Sequence, residues 1–215
     1  MKLYSYWRSS AAYRVRIALN LKGLEYEVVP VHLLKHGGEQ HQPYYQSINP
    51  QDLIPTLVDD DLRLGQSLAI MDYLEARHPE PSLYPQALTE RAFVMQFALA
   101  ITCDIHPMNN LRVLKYLKHG LQQDDEARDA WYHYWIRSGF NALQLLLDDR
   151  DWQGPYCLDE QLTIADVCLI PQLYNAHRFK MPLDDFPSLV KIEQACMELE
   201  AFRQATPENQ IDADS

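Results

Sequence analysis

The sequence predicts an α/β unit built on a mixed sheet over residues 1–84, followed by an all-α unit over residues 85–215. Three observations carry this division. Strand-like and helix-like patterns alternate up to about Tyr84. The run His78-Pro79-Glu80-Pro81-Ser82-Leu83-Tyr84-Pro85 then holds three prolines in eight residues, which no helix continues through. From Glu90 onward the apolar residues recur at helical spacing, with no strand pattern among them.

Taken in order, Lys2-Leu3-Tyr4-Ser5-Tyr6 reads as a first strand, Tyr13 to Lys22 as a helix, and Glu25 to Val31 as a second extended segment. Thr56 to Val58 is extended again. Asp59-Asp60-Asp61 places an acidic run at a tight turn, and Leu62 and Leu64 alternate on the returning strand, so part of the sheet is expected to be antiparallel. Ser67 to Arg77 is helical. In the second half, Phe93, Phe97, Leu99 and Ala100, then Trp131, Trp135, Phe140, Leu143 and Leu147, mark apolar helix faces. Leu162-Thr163-Ile164-Ala165-Asp166-Val167 carries a helix-capping signature, with Thr163 as N-cap, Asp166 returning the hydrogen bond, and Leu162 and Val167 as the apolar staple. It is a structural device without a catalytic role.

The composition narrows the function. A chain of 215 residues that is 47% apolar buries a sizeable core. A net charge of −11 opposes non-specific attraction to nucleic acid and to anionic membrane surfaces, so an anionic ligand needs locally placed arginines. Apolar runs are interrupted well short of a bilayer span, and Arg8, Arg14 and Arg16 break up what would otherwise resemble a signal-peptide core; a soluble, cytoplasmic protein is expected. Cys103, Cys157, Cys168 and Cys196 form no CxxC pair, which excludes thioredoxin-type disulfide exchange. With no HExxH and no close histidine pairing of the kind that suggests zinc, no metal site is expected.

Three places carry chemistry. Ser9 and Ser10 stand where the first strand gives way to the first helix, beside amides that favour negative charge; they either hold an anion or simply cap the helix. Ile54-Pro55-Thr56 opens the third strand, and a proline there is often cis, leaving the Ile54 amide and carbonyl to hold an extended peptide; otherwise Pro55 is a plain strand breaker. Gln66 and Ser67 begin the next helix, as a seat for a carboxylate or as an ordinary cap. In the second half, His106, Asn109 and Asn110 fall on one helix face at i, i+3 and i+4, with Arg112 flanking them. That face is either merely solvated or aimed into a cleft by a kink at Pro107.

In this order the residues resemble the thioredoxin-like glutathione-binding domain of the glutathione transferases, and Ser-Ser-x-x-x-Arg-Val-Arg-Ile-Ala-Leu, residues 9–19, resembles the zeta class. The resemblance extends over nearly the whole chain and implies the glutathione transferase fold, glutathione as coenzyme and a homodimer. It further implies that Ser9 hydrogen-bonds the glutathione sulfur with Ser10 and Arg14 in support, that Ile54 and a cis Pro55 contact the cysteinyl backbone, and that Gln66 and Ser67 hold the γ-glutamyl carboxylate. One departure stands out: Ala11 occupies the place of the cysteine in the usual Ser-Ser-Cys motif. The segment from Cys103 to Arg112 resembles the bacterial maleylpyruvate isomerases, a zeta-like branch that also lacks that cysteine. This implies that Arg8, Arg112 and Arg178 bind substrate carboxylates, with His106 beside the cofactor and Asn110 beside the substrate in the same pocket.

The implied reaction is glutathione-dependent cis–trans isomerisation of a maleyl oxo-dicarboxylate, maleylacetoacetate or maleylpyruvate. The thiolate adds to the activated cis double bond, rotation follows, and elimination gives the fumaryl isomer. Lowering a thiol from ~8.5 by about two pH units asks for ~2.7 kcal/mol, for which Ser9 and the first-turn amides are the candidates. An arginine near the oxo-carboxylate would hold the charge that develops. Two rivals use the same fold: a general glutathione transferase or dehalogenase acting on small electrophiles, and a non-catalytic binding module.

Overall fold

In the computed structural model, which describes residues 1–213, four short strands form one mixed sheet in the order β2-β1-β3-β4. Strand β1 (Lys2–Ser5) pairs parallel with β2 (Glu27–Pro30), Leu3 opposite Val28, and antiparallel with β3 (Thr56–Asp59), Leu3 opposite Leu57. The acidic turn closes the expected hairpin: β4 (Leu62–Gly65) returns against β3 with Leu57 opposite Leu64, and Asp60 takes the left-handed φ of 50° that a tight turn requires. A parallel neighbour needs a crossover, which α1 (Ser10–Leu21) supplies between β1 and β2.

Alternation along β1 sends successive side chains to opposite faces. Leu3 joins Val15, Leu19, Leu57, Ile70 and Leu74, which places α1 and α3 (Ser67–Arg77) on one face of the sheet. Tyr4 joins Tyr6, Ala12, Val31, Tyr45 and Ile54 in a second cluster, which includes Tyr45 of the short helix α2 (Pro43–Gln46). Beyond α3, the buried ammonium of Lys22 donates to Glu75 at 2.7 Å, to the His78 carbonyl at 2.7 Å and to the Pro81 carbonyl at 2.9 Å. A buried charge needs such a complete set of acceptors, and here they fix the course of the proline-rich run.

The chain divides into two compact units, and the division differs from the expected 1–84 and 85–215. The first unit is Met1–Ser82 together with the chain from Met197 onward; the second is Leu83–Cys196. The terminal helix α9 (Glu200–Ala205) therefore packs on α1. The cause is polar as well as apolar. The buried Arg16 guanidinium donates to the carbonyls of Ala205 (3.0 Å) and Trp7 (3.1 Å) and to Ser5 Oγ (3.2 Å), and Asn20 donates to the Ala201 carbonyl at 3.0 Å.

In the second unit, regular structure among the described residues is helical apart from two isolated bridges, Tyr156 with Asp159 and Leu158 with Gln161. Helix α4 (Leu88–Leu99) packs on α7 (Ile164–Arg178), while α5 (Leu111–His119) packs on α6 (Asp125–Asp148). Helix α8 (Pro187–Met197) leads back to the first unit. The capping box at Thr163 is formed: Asp166 accepts the N–H groups of Thr163 and Cys157, each at 2.7 Å. Complete burial pushes its carboxyl above the ordinary range, against the downward pull of those donors. Among the described residues, no helix is long and apolar enough to cross a membrane.

Candidate active site

The strand-to-helix corner is a turn in which the Ser9 N–H donates to the Tyr6 carbonyl at 2.9 Å. Ser9 is the N-cap of α1, its Oγ accepting the Ala12 N–H at 3.2 Å, and Ser10 is the buried first helical residue. The cap and the anion seat are therefore compatible. A hydroxyl that accepts the helix amide still has its own hydrogen to donate. No acidic side chain occupies the first turn of α1, nor that of α3, in a chain with thirty acidic residues. Two helix N-termini are thus left without the carboxylate that ordinarily complements them.

Arg14 is buried, and the structure takes it to α3, where its Nη1 donates to Ser67 Oγ at 3.1 Å. Ser67 then stands as Ser9 does, accepting from behind and left with a proton to give. Gln66 precedes it in a left-handed conformation (φ 64°), with Nε2 donating to Gln51 Oε1 at 3.0 Å.

The Ile54–Pro55 peptide is cis. Among the described residues the Ile54 N–H and C=O take no hydrogen-bond partner. Such orphaned main-chain groups beside a strand suit an extended peptide, which is the requirement glutathione sets. Both flanks are pinned by a pair that the sequence reading missed. Tyr45 Oη donates to the Leu53 carbonyl (2.6 Å) and meets Thr56 Oγ1 (2.8 Å), and Asn49 Nδ2 donates to the same two groups at 2.9 and 3.0 Å. Burial pushes the Tyr45 phenol up to about 12, so it stays neutral. The i, i+4 spacing of Tyr45 and Asn49 just ahead of Pro55 was the available signal.

The expected polar helix face is corrected. Helix α4 runs into a π-helical segment, Ala100–Ile105, with Ile105 so close to α6 that a Cβ on Gly139 would collide with its side chain. His106 follows, a 3-10 turn spans Pro107–Asn109, and Asn110 begins a new helix, its Oδ1 accepting the Arg112 N–H at 3.1 Å. Pro107 sits in a first turn, where its missing N–H costs nothing, so it separates the segments instead of kinking one helix. His106, Asn109 and Asn110 therefore do not share a helix face. Trp131 Nε1 donates to the Met108 carbonyl (2.8 Å) and Asn109 Nδ2 to the Tyr132 carbonyl (3.3 Å), which anchors the turn on α6.

The three arginines stand on separate elements. Arg8, in the first unit, donates to Tyr6 Oη at 3.2 Å with its guanidinium 4.5 Å from the Trp7 ring centre. Arg112 is exposed in the first turn of α5, where a cation opposes the helix dipole and no acid offsets it. Arg178 is exposed at the C-terminal end of α7, 4.8 Å from the Phe179 ring, which itself stacks on Tyr132. An uncompensated cation at a helix start is what a carboxylate ligand would relieve.

A mixed four-stranded sheet with a cis-proline opening β3 and two helix starts prepared for anions defines the class as a glutathione transferase. The model of the glutathione S-transferase N-terminal domain matches residues 3–82. A probable maleylacetoacetate isomerase of Vibrio cholerae is 51% identical, covering 98% of this chain and 97% of its own. A holo structure of maleylpyruvate isomerase, described as a bacterial zeta-class glutathione S-transferase, superposes with a TM-score of 0.96 at 42% identity over 99% of this chain and 100% of that one. A maleylacetoacetate isomerase from Methylobacterium extorquens AM1 with bound malonate and GSH gives 0.95 at 35% identity, with both chains wholly covered. The chain belongs to the zeta-class glutathione transferase family of maleylacetoacetate and maleylpyruvate isomerases.

Proposed function

We propose that this protein is a glutathione-dependent cis–trans isomerase of maleyl oxo-dicarboxylates, maleylacetoacetate or maleylpyruvate, giving the fumaryl isomer. The observation that carries this reading is the matched treatment of Ser9 and Ser67. Each hydroxyl accepts a hydrogen bond from behind, from the Ala12 N–H and from Arg14, and each begins a helix with no acidic residue in its first turn. Bound glutathione supplies a thiolate that adds reversibly to the cis double bond and lets it rotate. Ser9 donates its hydroxyl hydrogen at the sulfur position, with Ser10 at the same helix start, and the first-turn amides add their partial positive charge. Ile54 and Pro55 receive the extended peptide main chain, and Gln66 and Ser67 hold the γ-glutamyl carboxylate while Arg14 fixes the Ser67 rotor.

Arg8, Arg112 and Arg178 hold the substrate carboxylates, Asn110 serves on the substrate side and His106 on the cofactor side. In a chain of net charge −11, arginine is the means of attracting a dianion. Ala11 in place of the motif cysteine means that the chain's own thiol takes no part at that position. The protein acts in the cytoplasm as a homodimer. The test is turnover of maleylacetone or maleylpyruvate with substoichiometric glutathione, followed by absorbance and by thiol titration. Continued turnover at constant thiol supports the isomerase. Thiol consumed one for one with product assigns a transferase instead, and no turnover with either substrate refutes the reading.

A further inference from the structure

The corner that carries Ser9 is built from the opposite end of the chain. In the turn Tyr6–Ser9, Trp7 and Arg8 are the central residues, and both main-chain groups of Trp7 are engaged by distant side chains. The Trp7 N–H donates to an Asp212 carboxylate oxygen at 3.1 Å, across 205 positions. The Trp7 carbonyl accepts from Arg16 Nη2 at 3.1 Å, and the same guanidinium holds the Ala205 carbonyl at 3.0 Å. Asp212 is itself buried, so its bond to Trp7 is partly shielded from water.

We infer that the C-terminal segment is a positioning element for the catalytic corner, with Asp212 and Arg16 holding the Trp7 peptide groups and thereby setting where the Ser9 hydroxyl and the Arg8 guanidinium stand. The inference rests on the isomerase reading and deepens it. A two-residue turn has little stiffness of its own, because the Ser9 to Tyr6 bond fixes its ends but not the peptide planes between them. Holding the peptide plane on each side of Trp7, one through its N–H and the next through its C=O, leaves the turn a single arrangement. A hydroxyl displaced by even a fraction of an ångström donates poorly to a sulfur anion, since hydrogen bonds weaken steeply with angle and distance. Asp212 and Arg16 act through Trp7 and are positioning residues; neither is placed against substrate or glutathione.

The test compares Asp212→Ala, Asp212→Asn and the unaltered protein. Three readouts serve: amide hydrogen exchange over residues 7–12, ultraviolet titration of the thiolate of bound glutathione, and kcat against pH. In Asp212→Ala the Trp7 amide is expected to exchange about tenfold faster or more, while amides of the sheet and α3 keep their protection. The pH at which bound glutathione ionises should rise by about half a unit or more, with kcat several-fold lower and the glutathione KM little changed. Asp212→Asn, which keeps an oxygen to accept the Trp7 N–H, should recover most of each effect. Unchanged exchange at Trp7 overturns the inference, and so does faster exchange that leaves thiol ionisation and kcat untouched. If exchange and thiol ionisation respond as expected but the unaltered protein isomerises neither maleyl substrate, the functional reading fails and the positioning role stands.

Discussion

Replacing Ser9 separates its two tasks, because the cap needs an acceptor and the sulfur needs a donor. Ser9→Ala removes both. Loss of the 3.2 Å bond to the Ala12 N–H costs about 1 kcal/mol of stability, which in a protein of this size lowers Tm by roughly 2–4 °C. Loss of a hydrogen bond to an anion costs about 1.5–3 kcal/mol in the transition state, or roughly a 10- to 150-fold fall in kcat. Ser9→Asp is the informative counterpart. Aspartate is an excellent N-cap, and its charge suits a first turn that has no acid of its own, so Tm should equal or exceed that of the unaltered protein. An ionised carboxylate only accepts and repels a thiolate, so activity should fall below that of Ser9→Ala. Scanning calorimetry and steady-state kinetics on the two variants suffice. Retention of kcat within a few-fold in Ser9→Asp, or an unchanged kcat with lowered Tm in Ser9→Ala, would reduce Ser9 to a helix cap.

Three further outcomes are expected. Arg112→Ala should raise the KM for the maleyl substrate about tenfold, measured at saturating glutathione, while raising stability by about 0.3–1 kcal/mol through removal of a cation from the start of α5. Asp166→Ala should cost about 3–5 kcal/mol in urea unfolding, since it orphans the buried N–H groups of Cys157 and Thr163 along with the cap; a loss under 1 kcal/mol would show that water replaces the carboxylate. For Tyr45 the folded value of about 12 lies above the ordinary 10.0, so the neutral phenol's stabilisation is whole below pH 10 and is lost as pH rises toward 12. Tyr45→Phe should therefore cost about 1 kcal/mol at neutral pH yet flatten the decline of stability between pH 10 and 12, as read from urea midpoints.

What the sequence made legible was local. The acidic hairpin turn, the capping box at Thr163 and the helix starts at Ser10 and Ser67 each depend on residues within a few positions of one another, and each formed as expected. The return of α9 to α1 was not legible, because Arg16 and Ala205 share no periodicity and their bond is a matter of tertiary burial. The polar triplet after Cys103 was misjudged for a related reason. Spacing assumes 3.6 residues per turn, and the π-helical segment followed by a 3-10 turn breaks that count before Asn110 is reached. Arg14 illustrates a finer limit: nothing in its motif announces that its guanidinium also reaches Ser67, a partner 53 positions away.

Because Leu83–Cys196 interrupts the first unit, the order in which the polypeptide leaves the ribosome matters. Strand β1 and helix α1 emerge early, but the Ala205 carbonyl that Arg16 holds and the Asp212 carboxylate that holds the Trp7 N–H follow 189 and 205 residues later, a delay of roughly 10–40 s at ordinary rates of synthesis. The inserted half arrives as one uninterrupted stretch and needs no such wait. A nascent chain halted anywhere before Asp212 thus lacks this bond, however much of it has been made, and the corner that carries Ser9 is the last to be set.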